Sequence, residues 1–368
     1  MVSKYGLEIG TPALASAGAI TFGPEGILFV ADNATATIFA IDVQDAARGA
    51  SSRVEVPHLD SRVASLLGVA RGEVRIRGLA VHPDSLAVYV SVTRGHGASA
   101  IPVLVRIADG DLSVVDLVDV PFALVALDDA PDPDDDRQDV SLDGSHEDSE
   151  NIEINGVTLA LARVRLRTST ITDLAWIDGT LLVAGASNEE FVSTLRRIPF
   201  PFGNGDDAGI QANSLEIFHV SHGKYETASP IRTFIPFDGS ASILASYTCT
   251  PLVHFPLADL RPGVQAKGRT VAELGAMNQP LDMIAYQRDG AEYLLVSNTR
   301  HPLLKIPAAA IAGQQPLVTP AEPAGVPREE LGHAGVSLMA SLGASQVLML
   351  QRDDAGELGL HSYSTASL

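Results

Sequence analysis

Carboxylate and amide side chains recur in this 368-residue chain where apolar segments begin or end. Asp173 and Asp282 open apolar runs, and Asn188, Glu189 and Asn298 lie after the runs that follow them. Oxygen donors of this kind suit a hard cation such as calcium. The five residues are therefore the predicted ligands of a divalent cation, and the alternative is that they cap backbone groups in turns.

A second set of residues carries nitrogen and sulfur donors. His219 and His222 are separated by two residues, and His254 lies in the next predicted repeat, so the three form an alternative metal site. Imidazole suits zinc, copper or iron. Tyr247 and Cys249 are spaced i, i+2 and share one side of a strand, which with His254 suggests redox chemistry or a nucleophile. The alternative is a thiol that only packs in the core.

The strands that position these residues are predicted from a sequence pattern that repeats along the chain. Residues 19–42 contain three short apolar runs separated by a Pro/Gly turn and a polar turn, and altered copies return five more times. Four short antiparallel strands per copy, arranged radially, are typical of a β-propeller blade. Paired turn residues such as Asp178-Gly179 and Asp238-Gly239 mark tight hairpins within the copies.

The predicted fold is all-β, a single domain over residues 1–368 that forms a six-bladed β-propeller of four-stranded antiparallel blades. We expect the N-terminal segment Tyr5–Ile9 to close the last blade, because a ring leaves exposed strand edges unless one blade is shared between the chain ends. The predicted blades lie near 17–60, 77–120, 171–220, 231–275, 281–320 and 335–365 plus 5–9.

In such a ring the starts of the inner strands meet at one mouth of the channel. The predicted mouth collects the five oxygen ligands together with Arg94, so the candidate catalytic residues are Asp173, Glu189 and Arg94. Asn188 to Glu190 is the sharpest local candidate, because adjacent carboxylates repel and a cation relieves that repulsion. An ion pair with Arg196 or Arg197 is the alternative.

The long gap between the second and third copies is acidic. Residues 128–156 are rich in Asp and Glu, poor in apolar residues and predicted to be a mobile loop insertion. Residues 157–167 alternate in polarity and predict a half-exposed strand, with a seventh irregular blade as an alternative. Short helices are predicted at Ser61–Leu67 and Pro327–Leu331.

Composition narrows the class of partner. The chain is 46% hydrophobic and carries a net charge of −20. The negative charge argues against nucleic acids and anionic membranes as partners, because both are negatively charged themselves. Acidity favours cations or cationic ligands. There is no apolar run long enough to insert in a membrane, and the single cysteine allows no intrachain disulfide. The sequence as written predicts a cytoplasmic location, or a periplasmic or secreted one if a leader has been removed.

The stretch FGPEGILFVADNATATIFAID is close to the PDG-x-LYVAD blade phrase, so the chain resembles six-bladed propellers of the NHL and SMP-30/gluconolactonase type. The stretches SNEEFVSTLRRIPFPF, HGKYETASPIRTF and SYTCTPLVHFPLADLRPG resemble bacterial propeller proteins of unassigned function. The SMP-30 resemblance implies a divalent cation at the mouth, held by a Glu of the first blade and by Asn and Asp of later blades. Leu14–Gly18 has no acid at the Glu position, whereas Asp173, Asn188, Asp282 and Asn298 could stand for the other ligands.

The sequence predicts a binding module for a small ligand, a cation or a protein partner at the channel mouth. The first alternative is a metal-dependent lactonase or hydrolase of the SMP-30 kind, and the second is a metal-dependent redox protein. Apart from a divalent cation such as calcium, no cofactor is predicted, and whether the protein is an enzyme stays open.

Overall fold

The computed structural model describes residues 4–45, 53–146, 148–154, 156–203, 209–261, 263–320 and 324–368. Within these ranges the chain forms seven β-sheets, almost entirely antiparallel. Six of them stand around one axis, because their first strands line the same central cavity and pack side by side in a closed ring. The predicted all-β propeller fold is confirmed by this arrangement.

We number the six sheets by the chain order of their inner strands and give each from the axis outward. Sheet 1 contains Ile20–Phe22, Ile27–Asp32, Thr37–Asp42, Val120–Ala126 and Glu8–Gly10. Sheet 2 contains Val74–Val81, Val88–Arg94, Ile101–Ala108 and Asp111–Val114. Sheet 3 contains Asp173–Ile177, Thr180–Ala186, Ser193–Pro199, Gln211–His219 and Lys224–Glu226, and Ala266–Lys267 pairs in parallel with its fourth strand.

The last three sheets follow the same plan. Sheet 4 contains Thr233–Phe237, Ser242–Ser246, Pro251–Pro256, Arg269–Glu273 and Ala324–Gly325. Sheet 5 contains Pro280–Arg288, Ala291–Asn298, Leu304–Pro307 and Glu329–Glu330. Sheet 6 contains Val336–Leu342, Gln346–Arg352, Leu358–Ser364 and Glu55–Val56.

The hydrophobic core is divided among the boundaries between neighbouring sheets. Phe29, Leu181 and Ile198 are fully buried between sheets 1 and 3, and comparable clusters fill the other five boundaries. The strands alternate apolar side chains into these boundaries because successive residues of a strand point to opposite faces. Burial of each large side chain contributes about 1.5–3 kcal/mol. The ring is thus stabilised by packing between sheets rather than by one central core.

The order of the sheets around the ring differs from their order along the chain. Sheet 2 lies between sheets 1 and 6, and the ring then continues from sheet 1 through sheets 3, 4 and 5. The prediction that Tyr5–Ile9 closes the last blade is wrong. Glu8–Gly10 pairs with Val120–Ala126 at the outer edge of sheet 1. Glu55–Val56 pairs with the third strand of sheet 6 and already occupies that edge.

The acidic insertion is not simply a loop. Gln138–Ser141 and Glu150–Ile154 flank Val157–Arg165 in a three-stranded antiparallel sheet, which we call the lid sheet. Residues of this segment line the central cavity together with the six inner strands. The predicted half-exposed strand is present, and it pairs within the lid sheet because its apolar side chains Leu159 and Ala162 are buried there.

Helices are few and short among the described residues. The helix Leu59–Leu67 matches the predicted Ser61–Leu67 and packs on sheets 2 and 6, and the described ranges contain one more α-helix, Ala308–Gly313. The prediction of a helix at Pro327–Leu331 is wrong, because Glu329–Glu330 pairs with Leu304–Pro307 as the edge strand of sheet 5. No described helix is both long and apolar enough to cross a bilayer.

Candidate functional site: the central cavity

The six inner strands surround a cavity of about 860 Å³. Polar and apolar atoms contribute comparably to its wall, and the apolar residues that line it include Ile20, Leu174, Trp176, Phe234 and Met339 of the inner strands. Polar side chains gather where the inner strands begin, below the lid sheet. The cavity therefore combines apolar lining with polar groups gathered at one end, as small-molecule sites do.

The lid sheet is fastened to the ring by a buried ion pair. Arg232, directly before the inner strand of sheet 4, donates from Nη2 to Asp139 Oδ1 of the lid at 2.6 Å and to the Val140 carbonyl at 2.8 Å. The second oxygen of Asp139 accepts from Ser169 Oγ at 2.6 Å. Both charged side chains are at most 9% exposed. A charge pair shielded in this way is strongly coupled, so removing one partner leaves the other unbalanced.

Two further bonds join the lid to other sheets. The backbone N–H of Leu142 donates to Gln279 Oε1 of sheet 5 at 2.7 Å. Arg77 Nη1 of sheet 2 donates to Ser145 Oγ at 3.2 Å. The lid thus contacts three inner strands, or the residues just before them, at separate points around the ring.

Asp173 and Asp282 are the acidic residues that the inner strands of sheets 3 and 5 bring to the cavity. Each carboxyl group bonds to its own strand and to the next sheet. Asp173 accepts from the N–H groups of Leu174 at 2.8 Å and Phe234 at 2.9 Å. Asp282 accepts from those of Met283 at 2.7 Å and Met339 at 2.6 Å. These bonds tie neighbouring sheets together at the axis.

The protonation of both groups is shifted toward the neutral acid. Burial raises the pKa of Asp173 to about 6, against the lowering effect of the N–H groups of Phe234 and Leu174. Burial raises the pKa of Asp282 well above its usual range, and the nearby charge of Asp173 raises it further. Both side chains are half-buried because they face the cavity. Carboxyls with raised pKa values in a cavity are typical of ligand-binding and catalytic sites.

The structure brings together only part of the predicted oxygen site. Asp173 and Asp282 line the cavity, but Asn298 lies in an adjoining depression, where its Oδ1 accepts from the N–H groups of Arg300 and His301. That geometry is the turn cap that was the alternative interpretation.

The other predicted site residues lie outside the cavity wall. Asn188 and Glu189 are exposed and bound by Arg137 of the insertion, which donates to Asn188 Oδ1 at 2.5 Å and to the Glu189 carbonyl at 3.3 Å. Arg94 ends the second strand of sheet 2 and is half-buried there. The alternative partner Arg196 is instead buried against Asp129 at 2.7 Å.

The predicted histidine site is also rearranged. His219 and His222 do lie together, with ring centroids 3.8 Å apart. His254 packs edge-on against Phe237 in sheet 4, with centroids 6.0 Å apart. In its place Cys249 joins the two histidines. The residue missed by the sequence analysis is Glu226, whose spacing of four from His222 was the available signal.

Comparisons with known proteins match this chain to solved structures but to no family. No family model matches the chain, and no curated protein matches it. Solved structures do match. A chain in the crystal structure of the mitotic checkpoint complex is 8% identical, with 97% of this chain and 91% of that chain covered at a TM-score of 0.37. The Cps50 (Swd1) β-propeller domain of Myceliophteria thermophila is 12% identical, with 95% and 84% covered at a TM-score of 0.39.

A third structure, Raptor of Chaetomium thermophilum, is 12% identical, with 97% of this chain and 28% of that chain covered at a TM-score of 0.39. At such identities a likeness concerns the fold alone. The propeller architecture therefore rests on the sheets described above, and the NHL and SMP-30 assignment stays a prediction.

Proposed function

We propose that this protein is a six-bladed propeller that acts as a binding module, and that its ligand is a small organic cation held in the central cavity. The observation that carries the proposal is the pair of acids, Asp173 and Asp282, at the polar end of a cavity that also has apolar residues in its wall. The cavity volume of about 860 Å³ suits an organic molecule better than a bare ion.

The carboxyl contacts support a cationic group on the ligand. Asp173 and Asp282 accept hydrogen bonds from backbone N–H groups, and each oxygen keeps a lone pair for a further donor. A positive charge between them would favour ionisation of both acids, which burial now opposes. The apolar part of the wall would hold the body of the ligand, and the net charge of −20 would attract a cation over distance.

Calorimetric titration of the full chain tests this proposal. Choline and putrescine serve as cationic probes, and dimethylbutanol serves as the neutral isostere of choline. We expect a cation to bind and the Asp282→Asn variant to lose about tenfold or more in affinity, since a charged hydrogen bond contributes about 1.5–3 kcal/mol. Asp178→Asn, the same substitution in an exposed turn of sheet 3, should bind as the wild type does.

Two outcomes contradict the proposal. Equal affinity for dimethylbutanol would show that charge is not recognised. Unchanged binding in a variant carrying both Asp173→Asn and Asp282→Asn would place the ligand elsewhere.

A hydrolase or lactonase is the second candidate, and the raised pKa values of Asp173 and Asp282 favour it. An acid with a pKa near 6 can act as a general acid or base close to neutral pH. The test is hydrolysis of a γ-lactone and of a p-nitrophenyl ester with Ca²⁺, Zn²⁺ or Mn²⁺ added. Activity that Asp173→Asn abolishes and Asp178→Asn retains would favour the enzyme, and no turnover with any of the three ions would count against it.

A further inference from the structure

We propose that the boundary between sheets 3 and 4 binds a transition-metal ion of the Zn²⁺ class, through His219, His222 and Cys249, which we call the His–Cys cluster. One donor atom from each of the three side chains lies within 4.8 Å of the other two. Nitrogen and sulfur donors at this separation can close on one ion with small side-chain movements, since Zn–N and Zn–S bonds are about 2.0–2.3 Å.

The hydrogen bonds of Glu226 set both imidazoles in the ligating tautomer. Glu226 contacts His219 Nδ1 at 2.5 Å through Oε2 and His222 Nδ1 at 2.8 Å through Oε1. An ionised carboxylate only accepts, so each Nδ1 carries a proton and each Nε2 keeps its lone pair. A carboxylate behind the imidazole is the partner that metal-ligating histidines commonly have.

The Nε2 atom of His219 supports the site independently. His219 is only 3% exposed, and its Nε2 is buried with no hydrogen-bond partner. Buried polar atoms in proteins are nearly always paired, so such an atom calls for an explanation. A metal ion among the three side chains would satisfy it.

Cys249 reaches the cluster from the neighbouring sheet. It lies in the turn between the second and third strands of sheet 4, where its N–H donates to the Asn278 carbonyl at 2.6 Å. Cys249 and Thr250 both have positive φ, 63° and 52°. This backbone conformation is uncommon for residues other than glycine and holds the turn in one geometry.

Glu273 offers a fourth oxygen donor beside the cluster. Its carboxylate is fully buried at the end of the fourth strand of sheet 4, with Oε2 4.0 Å from His219 Nε2. Three protein ligands with a fourth carboxylate or water are a common zinc set. Two imidazoles and a thiolate suit zinc or another late transition metal and do not suit calcium or magnesium, which prefer oxygen.

The test is Zn²⁺ binding to the full chain after dialysis against chelator under reducing conditions. Equilibrium dialysis with elemental analysis should give about one tightly held ion per chain. Cys249→Ser and His222→Ala should each abolish it. His254→Ala is the matched control, since that imidazole lies in sheet 4 away from the cluster, and it should retain full binding.

Two measurements separate ligation from a merely structural effect. Co²⁺ should give a thiolate-to-metal charge-transfer band that Cys249→Ser lacks and His254→Ala keeps. Glu226→Gln should weaken Zn²⁺ affinity by about 10–100-fold without changing the stoichiometry. His222 is exposed, so His222→Ala should fold normally and keeps the test valid even if Cys249→Ser does not fold.

The proposal is overturned if the wild type holds no Zn²⁺, or if His222→Ala binds it as tightly as the wild type. It is also overturned if the Zn²⁺ is lost in Asp173→Asn and kept in Cys249→Ser, which would place the ion in the central cavity. Because Asp173 is not part of the cluster, failure here leaves the cavity proposal untouched.

Discussion

The central cavity and the His–Cys cluster both gather ionisable side chains at boundaries between sheets, but by different means. In the cavity, Asp173 and Asp282 occupy matching places at the starts of inner strands, and each bonds to the backbone of the next sheet. In the cluster, His219 ends the fourth strand of sheet 3, His222 lies in the turn that follows it, and Cys249 lies in the turn between the second and third strands of sheet 4. The inner strands thus supply oxygen donors at the axis, while an outer strand end and two turns supply nitrogen and sulfur donors away from it.

The two regions also differ in how their charges are balanced. The cavity carboxyls respond to burial by a raised pKa, so they are held toward the neutral form. At the cluster, hydrogen bonds from His219 and His222 outweigh the burial that would raise the pKa of Glu226 and hold it at about 2. An organic cation or a proton fits the first environment, and a metal ion that accepts nitrogen and sulfur fits the second.

The largest expected effect comes from detaching the lid from the cavity. Asp139→Ala removes the partner of buried Arg232 and should lower the free energy of unfolding by about 3 kcal/mol, because a buried charge is left uncompensated. Urea denaturation measures it. The control Asp136→Ala changes an exposed acid of the same insertion and should stay within about 0.5 kcal/mol. Equal effects of the two variants would show that the lid ion pair does not fasten the cavity.

The next effect is a dependence of the free energy of unfolding on pH, which arises from a carboxyl group in the cavity. The pKa of Asp173 is about 6 in the folded protein against its ordinary 3.8, so the folded state holds the proton more tightly than the unfolded state. The stabilisation from this proton is complete below about pH 4 and is lost as pH rises through 6.

Asp173→Asn cannot titrate and should therefore gain stability relative to the wild type, by up to about 3 kcal/mol between pH 4 and pH 7. Denaturation at both pH values measures this difference, and any constant cost of the substitution cancels. A difference that is flat with pH would contradict the raised pKa. His222→Ala should not reproduce the gain.

The third effect concerns Cys249. It is the single cysteine in the sequence, so mass spectrometry of the alkylated chain reports on one thiol. We expect Zn²⁺ to slow alkylation by iodoacetamide strongly, because a metal-bound thiolate is a poorer nucleophile than a free one. Ca²⁺ at the same concentration should leave the rate unchanged. If Ca²⁺ also protected Cys249 from alkylation, the cluster would not differ from the central cavity in the kind of ion it prefers.

The smallest effect is expected from Lys224. Its Nζ lies 3.1 Å from Glu226 Oε1, and the side chain is 65% exposed. Lys224→Ala removes a positive charge near the cluster and should raise Zn²⁺ affinity by up to about fivefold, since an exposed ion pair contributes about 0–1 kcal/mol. Metal competition titration measures it. A large loss of affinity would instead make Lys224 part of the site.

Much of the local structure was predictable from the sequence. The phrase at residues 19–42 yields Ile20–Phe22, Ile27–Asp32 and Thr37–Asp42, as its apolar runs predicted. At Asp178-Gly179 both residues have positive φ and form the predicted two-residue hairpin turn, whereas Asp238 and Gly239, also at positive φ, belong to a four-residue loop between Phe237 and Ser242. The alternation of apolar and polar residues in a strand and the preference of certain residues for turns both depend on residues close in the chain. These features can therefore be read directly from the sequence.

The candidate sites were only partly predictable. Asp173 and Asp282 could be identified because they occupy repeated positions at the starts of inner strands. Asp139 could not, since an acid in an acidic stretch gives no sign that Arg232, 93 residues away, will bury it. The acidic segment folds over the cavity because ring and lid side chains such as Arg232 and Gln279 bind it there.

The sequence by itself determined the strands, most of the tight turns and the propeller class, because short-range patterns specify them. The tertiary structure decided that Glu55–Val56 completes sheet 6 and that Val120–Ala126 completes sheet 1. A strand edge offers only generic N–H and C=O groups, so its partner is chosen by packing and proximity. The meeting of His219 with Cys249 was decided in the same way, because their donor atoms converge only once sheets 3 and 4 have packed together.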